Sequence, residues 1–108
     1  MSLQVLNYTY HAEHPKAMRA ARGHFGVTGS GDLEIMLEKA DLGGSVNVRV
    51  NTPVTGFDDV WEKVLERFVA ESSLGDVNIE INDDNATPVV VSLRLRQALA
   101  EANAAEDE

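Results

Sequence analysis

Few residues in this chain combine a reactive type with a useful spacing, and most of those have a plain structural reading. His11-x-x-His14 offers metal-ligand side chains, but no third ligand follows at a workable distance, so a solvated loop accounts for the pair. Asp83-Asp84-Asn85 opens like an oxygen-ligand loop, yet the EF-hand spacing and its closing Glu are absent. It reads instead as a turn whose acceptors meet backbone N–H groups at the start of a helix. Asp58 and Asp59 are charges at a helix start rather than an acid–base pair. Gly29-Ser30-Gly31-Asp32 differs in what it permits. It is neither a phosphate loop of the G-x-x-x-x-G-K-[ST] kind nor a G-x-S-x-G elbow. A serine between glycines has no neighbouring Cβ atoms to block a transferase bringing a large group to its hydroxyl. Glycines also let successive N–H groups converge on an anion such as a phosphodiester. On spacing alone, a flexible turn entering a strand explains the triplet equally well.

The elements that must position these residues follow from periodicity. Leu6, Tyr8 and Tyr10 alternate on one face of a first strand, and Leu33, Ile35 and Leu37 on a second. Val46, Val48 and Val50 mark a third, and Val77, Ile79 and Ile81 a fourth. Each has polar residues between, so one sheet face is buried and one is wet. Gly43-Gly44 predicts an antiparallel hairpin between the second and third strands. Phe57, Val60, Trp61, Val64, Leu65 and Phe68 form a helical stripe, with Asp58, Asp59 and Glu62 at its favourable N-terminal end. Thr87-Pro88 opens a second helix as N-cap and first position, and Val91, Leu95, Ala98 and Ala102 share its face. The predicted order is β-β-β-α-β-α in one α+β domain spanning residues 1–108, with 102–108 a fraying tail. The third and fourth strands run parallel across the first helix. A mixed four-stranded sheet then carries both helices on one face, and residues 11–25 run over the surface near Ser30.

Composition narrows the function classes. A chain of 108 residues with 44% hydrophobic and 25% charged residues fits one globular domain. No apolar run is long enough to span a bilayer, and the start lacks the pattern of a signal peptide, so a cytoplasmic location is expected. With no cysteine there is no disulfide framework and no thiolate zinc site, and any thiol chemistry needs a sulfur brought by a cofactor. The net charge of −9 argues against nucleic acid as a partner. One stretch opposes that charge: residues 11–24 set Lys16, Arg19 and Arg22 against Glu13 alone.

The run from Gly26 to Glu38, GVTGSGDLEIMLE, resembles the cofactor-attachment segment of the malonate decarboxylase acyl carrier family, the delta subunit. A second match lies at Ile79-Glu80-Ile81-Asn82-Asp83, Ala86-Thr87-Pro88, Val90-Val91, Leu93-Arg94-Leu95 and Gln97-Ala98-Leu99. Two separated motifs in the right order say more than the triplet does. Asp84-Asn85 and Val89 depart from the more glycine-rich turn usual in the family, and the middle helix matches in pattern more than in residues.

The resemblance implies a single acyl-carrier domain without catalytic residues of its own. It implies that Ser30, flanked by Gly29 and Gly31, carries 2'-(5''-phosphoribosyl)-3'-dephospho-CoA through a phosphodiester. The thiol of that group then holds acetyl or malonyl. The implied partners are the acyl transferase and decarboxylase subunits and the transferase that attaches the cofactor, with no nucleic acid or membrane. Lys16, Arg19 and Arg22 are candidate contacts for the cofactor's phosphates or for a partner, and a solvated loop explains them as well. Three alternatives remain open: the carrier of citrate lyase, an unmodified module that docks a partner on its polar sheet face or an edge strand, and a small enzyme built on the histidine-rich loop.

Overall fold

A computed structural model describes residues 3–26 and 31–104. The strands are β1 (Gln4–His11), β2 (Arg22–Phe25), β3 (Asp32–Lys39), β4 (Ser45–Thr52) and β5 (Val77–Asp84), and the helices are α1 (Asp58–Ser72) and α2 (Pro88–Ala104). They form one mixed sheet of five strands in the order β1-β4-β5-β3-β2. The expected four-stranded β-β-β-α-β-α sheet is therefore wrong by one strand, although the α+β class with two helices holds. The missing strand is β2, whose sequence Arg-Gly-His-Phe has no apolar alternation to reveal it. It forms because β3 offers it a free edge, with Arg22 opposite Glu38 and Phe25 opposite Ile35. Residues 11–25 are thus not one loop.

The expected hairpin of β3 with β4 is also overturned. Gly43 and Gly44 take positive φ and reverse the chain, but β5 lies between the two strands. It runs antiparallel to β3 and parallel to β4. A tight turn fixes direction, whereas adjacency goes to the strand able to fill ladders on both sides. Val77, Ile79 and Ile81 make β5 that strand, since all three are buried. The parallel β4–α1–β5 crossover is as expected.

The core lies between the helices and one sheet face. Leu33, Ile35, Val46, Val48 and Val50 meet Trp61, Leu65 and Phe68 from α1, and Val91, Leu95, Ala98 and Ala102 from α2. Burial of Ala102 extends the ordered helix beyond the point where fraying was expected. Met18, inside the basic stretch, is a core residue at 1% exposure. Val64 is only partly buried, and Phe57 and Val60 stand out at 50% and 37% exposure. No helix among the described residues is long and apolar enough to cross a membrane.

Candidate functional site

Ser30 and Gly29 lie outside the described residues, so the site is read from the residues that flank them. On one side, β2 is followed by Gly26, whose φ is +82° and where a Cβ would meet the Leu33 carbonyl oxygen at 2.7 Å. Only glycine lets the chain leave the ladder there. On the other side, Gly31 has φ +76°, and an added Cβ would meet nothing within 4 Å. Its N–H donates to the Asp84 carbonyl at 2.8 Å, which fixes the entry to β3 while leaving open space beside it. The segment expected to carry the cofactor thus falls between two antiparallel strands, β2 and β3.

Next to Gly31, Asp32 accepts from the Leu33 N–H at 2.8 Å and receives a two-pronged bond from Arg94, Nε and Nη2 each at 3.1 Å. The Arg94 guanidinium, followed by the Leu33 amide, holds the Asp32 carboxyl below its ordinary value. Arg94 Nη1 donates to Gln97 Oε1 at 3.0 Å. Of the five guanidinium donors, those three bonds leave two without a partner among the described residues. A fork spanning 62 residues ties β3 to α2, and it joins the two sequence motifs that carried the resemblance. Arg94 was missed as a site residue because helical spacing shows which face it shares, not which strand that face meets.

Asp83 organises the neighbouring turn. Its carboxylate accepts from the Thr52 hydroxyl at 2.8 Å and from the amides of Asn85 at 3.2 Å and Ala86 at 2.9 Å. Thr87 then accepts from the Val90 N–H at 3.3 Å, and Pro88 begins the helix. Asp83 thus supplies acceptors for amides of the turn that leads into the helix, as a turn reading of its sequence suggested. On the uncovered sheet face, side-chain bonds cross four strands. Asn51 donates to Asn82 at 2.9 Å, Asn82 to Glu34 at 2.9 Å, and His24 Nε2 lies 2.7 Å from Glu34. His24, then Asn82, keeps the Glu34 carboxyl below its ordinary value.

The three basic candidates are not gathered at this end. Arg22 pairs with Glu38 at 3.4 Å, six residues up β3 from Asp32, or about 20 Å along the strand. The Arg19 amide donates to Asn103, at the last turn of α2. Lys16 bridges to Leu74, just past α1. His11 and His14 join no group able to hold a metal, and no cluster of three or more His, Asp or Glu side chains occurs among the described residues.

With this geometry in hand, similarity to known proteins becomes specific. The family of the malonate decarboxylase delta subunit, MdcD, matches residues 20–102, from β2 to the end of α2. The chain belongs to that family. It is 55% identical over 104 residues to the malonate decarboxylase acyl carrier protein of Malonomonas rubra, covering 96% of this chain and 93% of the relative. The protein of the same name from Stenotrophomonas maltophilia is 46% identical over 90% of this chain and 92% of its own. A chain in the crystal structure of a Pseudomonas malonate decarboxylase hetero-tetramer in complex with malonate superposes with TM-score 0.80. It is 35% identical, with 92% of this chain and 98% of that chain covered. The family's match thus includes both the β2–β3 connection and the Asp32–Arg94 fork.

Proposed function

We propose that this delta-subunit family member is the non-catalytic acyl carrier of a malonate decarboxylase, with 2'-(5''-phosphoribosyl)-3'-dephospho-CoA attached to Ser30. The observation that carries the reading is 55% identity to a named malonate decarboxylase acyl carrier protein over 96% of the chain. The flanking residues suit the group. Gly31 leaves open space next to the serine, and Arg94 has guanidinium donors left for a phosphodiester oxygen. When bound, the group supplies a thiol whose thioester activates an acyl carbonyl. The chain holds that arm and presents it, while other subunits of the complex provide the reacting groups. The site belongs in a cytoplasmic complex, where the acyl transferase, the decarboxylase and the attaching transferase meet the same hairpin in turn.

Ser30→Ala removes the one hydroxyl able to form the ester. The variant is expected to fold as the native chain does, to gain no mass in a host carrying the attaching enzymes, and to leave the reconstituted complex inactive. Peptide mapping of native protein should find the adduct on the Ser30 peptide. An adduct on Ser45, Ser72, Ser73 or Ser92, or full activity from the variant, would overturn the assignment.

A further inference from the structure

The first turns of α1 and α2 enclose a cavity of about 270 Å³ that no role described so far uses. Val54, Phe57, Val60, Trp61 and Val91 line its apolar part, and Asp83, Asn85 and Thr87 its polar part. Phe57 and Val60 belong to the apolar stripe of α1 yet remain 50% and 37% exposed, because the core closes without them. Asn85 is held in the left-handed region at φ +68° by its amide bond to Asp83. Its side-chain amide makes no hydrogen bond to another described residue. A largely apolar cavity whose polar lining includes an uncommitted donor–acceptor amide suits a heteroaromatic base, which buries its faces and pairs its rim. The volume falls short of the roughly 300–1,000 Å³ that takes a drug-sized ligand, so one ring system fits rather than a whole nucleotide. The Asp83 carboxylate lines the cavity and disfavours a phosphate there.

The cavity also lies beside the attachment connection. The Asp84 carbonyl accepts the Gly31 N–H at 2.8 Å, and Asn85 follows across the next peptide bond. The Asn85 backbone is therefore within about 5 Å of the Gly31 amide. We propose that this cavity binds the adenine base of the cofactor, an inference that rests on Ser30 being its attachment point. Two ribose units separate the phosphodiester from that base, whereas the thiol lies beyond the pyrophosphate at the far end. Seating the base moves the pivot of the arm from the serine to the cavity. The thiol-bearing segment stays free to reach partners, on a shorter and better-directed tether.

Isotope-filtered NMR on labelled chain carrying unlabelled cofactor tests this, after peptide mapping has located the adduct. Cross-relaxation is expected from the adenine H2 and H8 protons to the methyls of Val54 and Val60, with a shift of the indole N–H of Trp61, the single tryptophan. Asn85→Gly keeps the left-handed backbone and should reduce that shift severalfold, as should Phe57→Ala. A Ser30 adduct with no adenine contacts, or with contacts from the pantetheine methyls instead, overturns the cavity's assignment and leaves attachment intact. Should mapping find no adduct on Ser30, the attachment reading fails by itself. Millimolar dephospho-CoA added to unmodified chain then decides the cavity: the same Trp61 shift supports a base site, and no shift sinks it.

Discussion

The two ends of the sheet are built by different means. At the end that bears Gly31, side chains do most of the fastening: the Asp32–Arg94 fork, the Asp83 carboxylate and the His24–Glu34 contact. The backbone beside them has room, as the empty surroundings of Gly31 show. At the opposite end, backbone-to-backbone bonds do most of the fastening. Lys16 N–H donates to Ser73 at 2.7 Å, Gly75 N–H returns to Lys16 at 3.0 Å, and Lys39 N–H reaches Ala21 at 2.9 Å. The Asp76 carboxylate ties the amides of Leu42 and Gly44 at 3.1 and 2.8 Å. A Cβ on Gly75 would lie 2.5 Å from Pro15 Cβ and 2.6 Å from the Gly44 oxygen. The contrast teaches where a bulky modification can be added: open space and side-chain anchors tolerate it, and a closed backbone knot does not.

Glycine substitutions probe that contrast most strongly. Gly75→Ala forces backbone to shift and should cost about 1–3 kcal/mol in denaturant unfolding. Gly31→Ala meets no neighbour and pays only for its positive φ, about 1 kcal/mol. Equal losses at both positions would erase the difference between the ends.

The fork comes next. Arg94→Met should lower stability by about 1 kcal/mol at neutral pH, since both partners are half-buried. Because Arg94 lowers the folded-state pKa of Asp32, its contribution is present above the ordinary value of 3.8 and lost as pH falls through the lowered one. Acid unfolding curves of native and variant chains should therefore converge at low pH. Parallel curves down to full protonation would assign the loss to packing instead.

A smaller effect is expected at the exposed rung below the attachment connection. His24→Ala should cost a few tenths of a kcal/mol. It should also let the Glu34 carboxyl rise toward its ordinary 4.5, read by NMR titration, because His24 is the largest cause of its lowering. An unmoved Glu34 would make Asn82 the controlling partner. The least change is expected from Arg22→Glu. Its charge sits at the other end of β3, so cofactor loading should alter by less than about twofold at physiological salt. A larger drop would make that end a docking surface for the attaching enzyme.

Local pattern alone determined much of this molecule. Alternation at Leu33–Leu37, Val46–Val50 and Val77–Ile81 set which sheet face is buried, since side-chain direction along a strand is a local property. Thr87-Pro88 and the stripe through Val91, Leu95 and Ala98 set the last helix for the same reason. The Gly-Ser-Gly segment and its distant second motif pointed to the family. Pairing was not local. Whether β5 enters between β3 and β4, whether Arg-Gly-His-Phe becomes an edge strand, and whether Met18 is core depend on which surfaces remain free once the others have packed. The same holds for charge. Sequence nearness put Lys16, Arg19 and Arg22 beside the attachment serine, but an antiparallel β2 carries its first residue to the far end of β3. The cation that does flank the connection, Arg94, comes from a helix 62 residues away, a meeting that only the folded chain decides.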